Sequence, residues 1–205
     1  MDILPSEEFP KQSQAEQEPK EILLNKTVAR MLGRGLEQIF NEGGAKTISN
    51  ALESLSKIGE CRKYAEMMGS ALAFLQDIVN KLQTEETRLT REKEGGQWNF
   101  KFSSESSEKE PAEKFQASEL IIDKDLSEKL MSAIGNVINN KLTGIIGLSG
   151  LMDEDFGDNS IGKKTNLINT HAQKIYKNIS SATKVGNSIR LFTDDNGKTT
   201  ISPIP

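Results

Sequence analysis

Residues 136–152 read N-V-I-N-N-K-L-T-G-I-I-G-L-S-G-L-M, and the spacing of apolar residues through this stretch decides how the chain folds. Counted in sevens, Met131, Ile138, Ile145 and Met152 form one apolar column, with Leu130, Val137, Gly144 and Leu151 beside it. A seven-residue apolar repeat is the seam of a packed helix, because it keeps one stripe facing a neighbour. By the same count Lys129, Asn136, Thr143 and Gly150 make a polar column that faces water.

A second helix is expected after a turn rich in Asp153, Asp155, Gly157, Asp158, Asn159 and Ser160. From about Lys163 to Phe192 the columns Ile168, Ile175, Ala182, Ile189 and Ala172, Ile179, Gly186 continue the pattern. The two helices form a hairpin. Gly144, Gly147 and Gly150 cost its first helix on the order of 1 kcal/mol each against alanine, a cost that close approach of a neighbouring helix would offset.

Ile138, Asn139, Asn140, Leu142, Thr143, Ile145, Ile146 and Gly147 fall on positions of the pattern H-E-I-N-N-P-L-T-x-I-L-G. In this the stretch resembles the first helix of the dimerisation and phosphoacceptor region of sensor histidine kinases. Asn136 stands where the phosphorylated histidine belongs, Val137 replaces the acidic neighbour and Lys141 the proline. A carboxamide nitrogen has its lone pair delocalised into the carbonyl, and valine supplies no base, so neither residue can accept a phosphoryl group. The resemblance covers the segment 118–193 and implies a degenerate hairpin that pairs between two chains into a four-helix bundle. Its dimer interface would hold Met131, Ile138, Ile145, Met152, Ile168, Ile175, Ile179 and Ile189. It implies a docking face for a response-regulator receiver domain at Asn136, Asn139, Asn140, Lys141 and Thr143.

The remainder of the chain bounds the alternatives. With 205 residues, 35% hydrophobic and 27% charged, it is long enough for one large or two small domains and too apolar for a disordered polymer. A net charge of -4 gives no reason to expect a nucleic-acid partner. Cys61 is the only cysteine, so no intrachain disulfide or cysteine pair for zinc exists, and a small, partly buried thiol at the start of a helix is its expected role. No apolar run reaches the roughly 20 residues of a membrane span, and the N-terminus lacks the order of a signal peptide, so a cytoplasmic protein is expected. Phosphate loops, H-E-x-x-H and a serine elbow are missing from the sequence. The chain ends about where an ATP-binding kinase domain would begin. No catalytic residue, metal or cofactor is expected.

Residues 1–20, with five acids against two lysines and prolines at 5, 10 and 19, read as a flexible acidic tail. Residues 21–102 read as an N-terminal helical domain. Its first helix stops at Gly43-Gly44, its second runs from Lys46 to about Ile58, and its third follows the seam Tyr64, Met68, Ala71, Leu75, Ile78, Leu82 and Leu89. Trp98, Phe100 and Phe102 alternate with polar residues as one short strand whose partner the sequence leaves open. Residues 103–117 have linker composition, and 194–205 read as a C-terminal tail whose Asp194-Asp195-Asn196-Gly197 forms a type I′ or similar turn. His171, with no acid a turn away, is expected to be a structural histidine at the bundle edge.

The fold expected is therefore mostly α: an N-terminal helical domain with one short strand, and a C-terminal antiparallel hairpin forming a dimeric four-helix bundle. The function expected is non-catalytic, a homodimeric two-component-type signalling or scaffold protein. Two alternatives stand beside it. One is a phosphatase-like helper in which Asn140 orients water on a phospho-receiver; the other is a purely structural oligomer.

Overall fold

Asn25 begins the first helix by accepting a hydrogen bond on its side chain from the Thr27 amide at 2.8 Å, and Asp123 begins the fourth in the same way, accepting from Leu126 at 3.0 Å. The two caps are the first sign that the chain repeats itself. A computed structural model describes residues 20–91, 96–103, 118–157, 160–183 and 187–204. Most of the 1–20 tail, the 103–117 linker and the turn residues Asp158 and Asn159 lie outside that set, as do Gly95 and Gly186.

In order, the elements are β1 (Glu21–Leu23), α1 (Lys26–Gly43), α2 (Ala45–Ser56), α3 (Arg62–Thr84), β2 (Glu86–Arg91), β3 (Trp98–Ser103), then β4 (Ser118–Ile122), α4 (Lys124–Ile134), a π-helical turn (Gly135–Asn139), α5 (Asn140–Phe156), α6 (Ser160–Ala182), β5 (Ser188–Thr193) and β6 (Thr199–Ile204). Each half runs strand, helical hairpin, strand, strand. The strands form two antiparallel sheets of order β1-β2-β3 and β4-β5-β6. Their registers repeat: Ile22, Leu89 and Phe100 stand abreast in the first sheet, Leu120, Leu191 and Ile201 in the second. Surface pairs repeat as well, since Arg88 meets Glu21 at 3.3 Å and Arg190 meets Glu119 at 2.9 Å.

The second helix of each hairpin buries residues at one common spacing. Ala65, Met68, Leu72, Leu75, Val79 and Leu82 do so on α3, and Thr165, Ile168, Ala172, Ile175, Ile179 and Ala182 on α6. With α2 against α3 and α6, and α5 against α6 and α3, the hairpins close a four-helix bundle within one chain. The sheets are exchanged: β2 and β3 lie on α4 of the second half, while β5 and β6 lie on α1 of the first. The buried side chains of both halves form one continuous core.

Two first-half glycines explain how this closes. Gly44 sits at φ 94°, where its N–H reaches the Phe40 and Asn41 carbonyls and turns α1 into α2. A Cβ there would lie 2.3 Å from the His171 ring. Gly35 lets β6 lie on α1, since its Cβ would fall 2.4 Å from Ile201 Cγ1. The second half has no such bend; its helix continues through the π-helical turn, whose extra residue keeps Ile134, Ile138 and Leu142 on the buried face.

Several expectations are corrected. The fold is not an N-terminal helical domain followed by a hairpin awaiting a second chain; it holds two three-stranded sheets, and the bundle is completed by the first half. The second hairpin helix ends at Ala182, and Ile189 and Phe192 belong to β5. Ile189 continues the seven-residue count from Ala182 by coincidence, whereas Ile189, Leu191 and Thr193 are buried alternately, as a strand requires. Leu89, counted with the third helix, lies in β2, the partner of the 98–103 strand. Residues 199–204 of the expected tail form β6. The turn before β6 is not type I′, because only Gly197 has positive φ, at 78°; Asp194 closes it, its carbonyl accepting from Gly197 N at 2.9 Å. Among the described residues no helix is long and apolar enough to cross a membrane.

Candidate interaction surface at the π-helical turn

The five residues expected to bind a partner lie on the π-helical turn and the first turn of α5. An α-helix that takes in one extra residue rotates the residues beyond it by roughly a quarter turn. Three asparagines, Asn136, Asn139 and Asn140, lie within the π-helical turn or directly after it. Asn136 is half-buried rather than exposed, because β3 lies over it and its Nδ2 donates to Asn99 Oδ1. Asn140 Nδ2 donates in turn to Asn136 Oδ1 at 3.3 Å, making a carboxamide chain from strand to helix. Asn139 Oδ1 is buried and accepts no hydrogen bond.

The expected water-facing column is covered at its N-terminal end. Lys129 lies under the Trp98 ring, its Nζ 5.9 Å from the ring centroid and bonded to Asp125. The Trp98 amide donates to Ser132 Oγ at 3.1 Å. Only Thr143 is fully exposed in that column. Sequence reasoning placed Trp98 on a short strand but missed Asn99 and Lys129 as companions at the helix, since nothing local says that β3 lies on a helix of the other half.

Beyond the asparagines the surface opens. Lys141 is exposed and holds its Nζ 5.1 Å from the Phe74 ring on α3. Asn140, Gly144, Gly147 and Leu151 follow one another along the solvent ridge of α5, with Leu151 53% exposed. A Cβ at Gly144 or Gly147 would meet nothing within 4 Å. Among the described residues no neighbouring helix therefore accounts for these two glycines, contrary to the expectation of close packing. Phe74 and, two turns before it on α3, Met67 are exposed as well.

Met131, Ile138, Ile145, Met152, Ile168, Ile175 and Ile179, assigned from sequence to a dimer interface, are buried inside the single-chain bundle, and Ile189 is buried beneath its sheet. Their columns therefore need no second chain to cover them. His171 occupies the structural place expected of it. Its Nδ1 donates to the Gly43 carbonyl at 2.8 Å, while Lys174 Nζ donates to the Glu42 carbonyl at 2.9 Å, so α6 satisfies carbonyls that the end of α1 leaves open.

Carboxamides offer donors and acceptors but no nucleophile or base at neutral pH. Among the described residues no group of three or more His, Cys, Asp or Glu is placed to hold a metal ion. Cys61 is buried, and desolvation pushes its thiol pKa up, away from the reactive thiolate. Comparison with protein-family models, with curated proteins and with solved structures finds no match.

Proposed function

We propose that the protein is a non-catalytic docking protein of the cytoplasm, whose partner, a response-regulator receiver domain, lies across the exposed α3 and α5 surface from Phe74 and Lys141 to Leu151. The observation that carries this reading is the pair of exposed glycines at 144 and 147. Each costs helix stability and a side chain there would meet none of the described residues, whereas a partner helix laid on the ridge would use the space. Phe74, Met67 and Leu151 supply apolar contact around that space, and Lys141 and Asn140 supply polar orientation. The likeness of 136–152 to the phosphoacceptor helix of sensor kinases names the class of partner. Asn136 is engaged with Asn99, so the docking face begins one turn further along, at Asn140.

The test is a binding screen of the purified protein against receiver domains, each with and without a phosphoryl analogue. Binding of a receiver that is lost in the Gly144→Lys, Gly147→Lys double variant, with helix content unchanged by circular dichroism, is the expected result. A receiver that binds wild type and double variant equally, or a screen in which none binds, overturns the reading.

A further inference from the structure

The internal repeat allows one half of the molecule to be compared with the other at matched positions, and a groove that is filled in one half is open in the other. Matching registers place Trp98, Asn99, Phe100 and Phe102 of β3 opposite Thr199, Thr200, Ile201 and Pro203 of β6. The common burial spacing of α3 and α6 places Lys81 opposite Ser181, and counting from the two N-caps places Asn136 and Asn140 opposite Gln38 and Glu42.

Between α4, α3 and β3 the space is occupied. Trp98 is buried, Phe100 and Phe102 stack with centroids 6.1 Å apart, and Lys81 Nζ, ion-paired with Asp77 at 2.8 Å, lies 5.9 Å from the Phe102 ring centroid. Between α1, α6 and β6 the same positions carry Thr199, Pro203 and Ser181, and a cavity of about 390 Å³ remains, floored by Ile39, Ala182 and Ile201. That volume falls within the range of about 300–1,000 Å³ typical of small-molecule sites. The polar chain is preserved in place but changes from neutral to charged: Gln38 Nε2 donates to Glu42 Oε1 at 2.7 Å, and Lys198 Nζ meets the same oxygen at 2.8 Å. Both charges of that pair are about half exposed at the mouth.

We infer that this groove binds a small aromatic zwitterion, a compound of the aromatic amino acid class, with its ring over Ile39 and Pro203 and its ammonium and carboxylate taken up by Glu42 and Lys198. The filled groove shows what the fold accommodates there, aromatic rings capped by an ammonium group. The open groove carries none of those rings, and at its edge an ion pair, Glu42 with Lys198, joins α1 to the strand side. An aromatic ring restores the lost packing, and a zwitterion exchanges into the existing ion pair without leaving either charge alone.

Tryptophan, indole and leucine are the probes, with binding to the full chain read by ligand-observed saturation-transfer NMR and titration calorimetry. Tryptophan is expected to bind more tightly than indole, and leucine at least tenfold more weakly than tryptophan. Ser181→Lys with Pro203→Phe, which installs the residues of the filled groove, is expected to abolish binding; Thr200→Trp at the mouth serves the same purpose if the first variant loses its native circular dichroism. Glu42→Gln with Lys198→Met is expected to bring tryptophan down to the affinity of indole. The inference is overturned if no aromatic probe binds at millimolar concentration, or if a folded blocking variant binds undiminished. It is overturned too if leucine matches tryptophan, or if the charge-removed variant still prefers tryptophan to indole.

Discussion

In the groove between α4 and β3, Trp98 and Phe102 and the Asn99–Asn136–Asn140 chain fill the space; in its counterpart between α1 and β6, Ser181, Thr199 and Pro203 leave it open around the Glu42–Lys198 pair. Strand register and the N-caps of the first helices match in the two halves, whereas α1 lies directly on α6 and ends at Gly44 and its counterpart runs on through the π-helical turn. The buried columns of the bundle hold each half in place, so residues at the sheet-to-helix contact are released from a purely structural task. One half uses them for packing. The other has exchanged rings for small residues and a neutral polar chain for a charged one.

The largest effect that would test this comparison comes from Trp98→Ala. If the first groove is held by packing, the change costs about 3–5 kcal/mol, measured by urea unfolding followed by circular dichroism. Thr199→Ala, at the matched position, should cost clearly less. Equal losses would mean that the two grooves are not used differently.

The bend of the first half and the continuous helix of the second should respond in opposite ways. Gly44→Ala places a side chain at positive φ and against His171, and is expected to destabilise by about 1–3 kcal/mol. Gly144→Ala, in open space on a continuous helix, is expected to stabilise by about 0.5–1 kcal/mol. Urea midpoints of the two variants check both signs, and a destabilising Gly144→Ala would show that something within the chain does need that glycine.

The smallest effect concerns charge. The Lys198 and Gln38 hydrogen bonds hold the Glu42 carboxyl below its ordinary pKa, so the pair contributes stability above the usual glutamate range, and that contribution is lost as the pH falls through it. Exposure to solvent keeps it small. The stability difference between wild type and Glu42→Gln, measured by thermal unfolding across pH 3 to 7, should therefore shrink toward low pH. The matched neutral variant Asn140→Ala should show no such dependence.

Much of the helical framework was legible from residue order alone. Apolar spacing located the helices of both halves, Gly43-Gly44 marked the first bend, and Trp98-x-Phe100-x-Phe102 marked a strand, because these patterns depend on local periodicity and on glycine's backbone freedom. The same periodicity misread 188–193 as helix, since a single isoleucine can satisfy a seven-residue count and a two-residue count at once. It also assigned the second hairpin's seam to another chain. Periodicity says that a face must be buried but never against what; Ile138 and Ile175 would read identically whether the partner were a second copy or the first half. The repeat itself was hidden, because the halves share positions of burial more than residue identities. What only the tertiary structure decided is where distant segments meet: β3 on α4, β6 on α1, Asn99 on Asn136, Lys198 on Glu42. Those contacts join residues far apart in sequence, and only the closed core, where every buried face must find its neighbour, selects them.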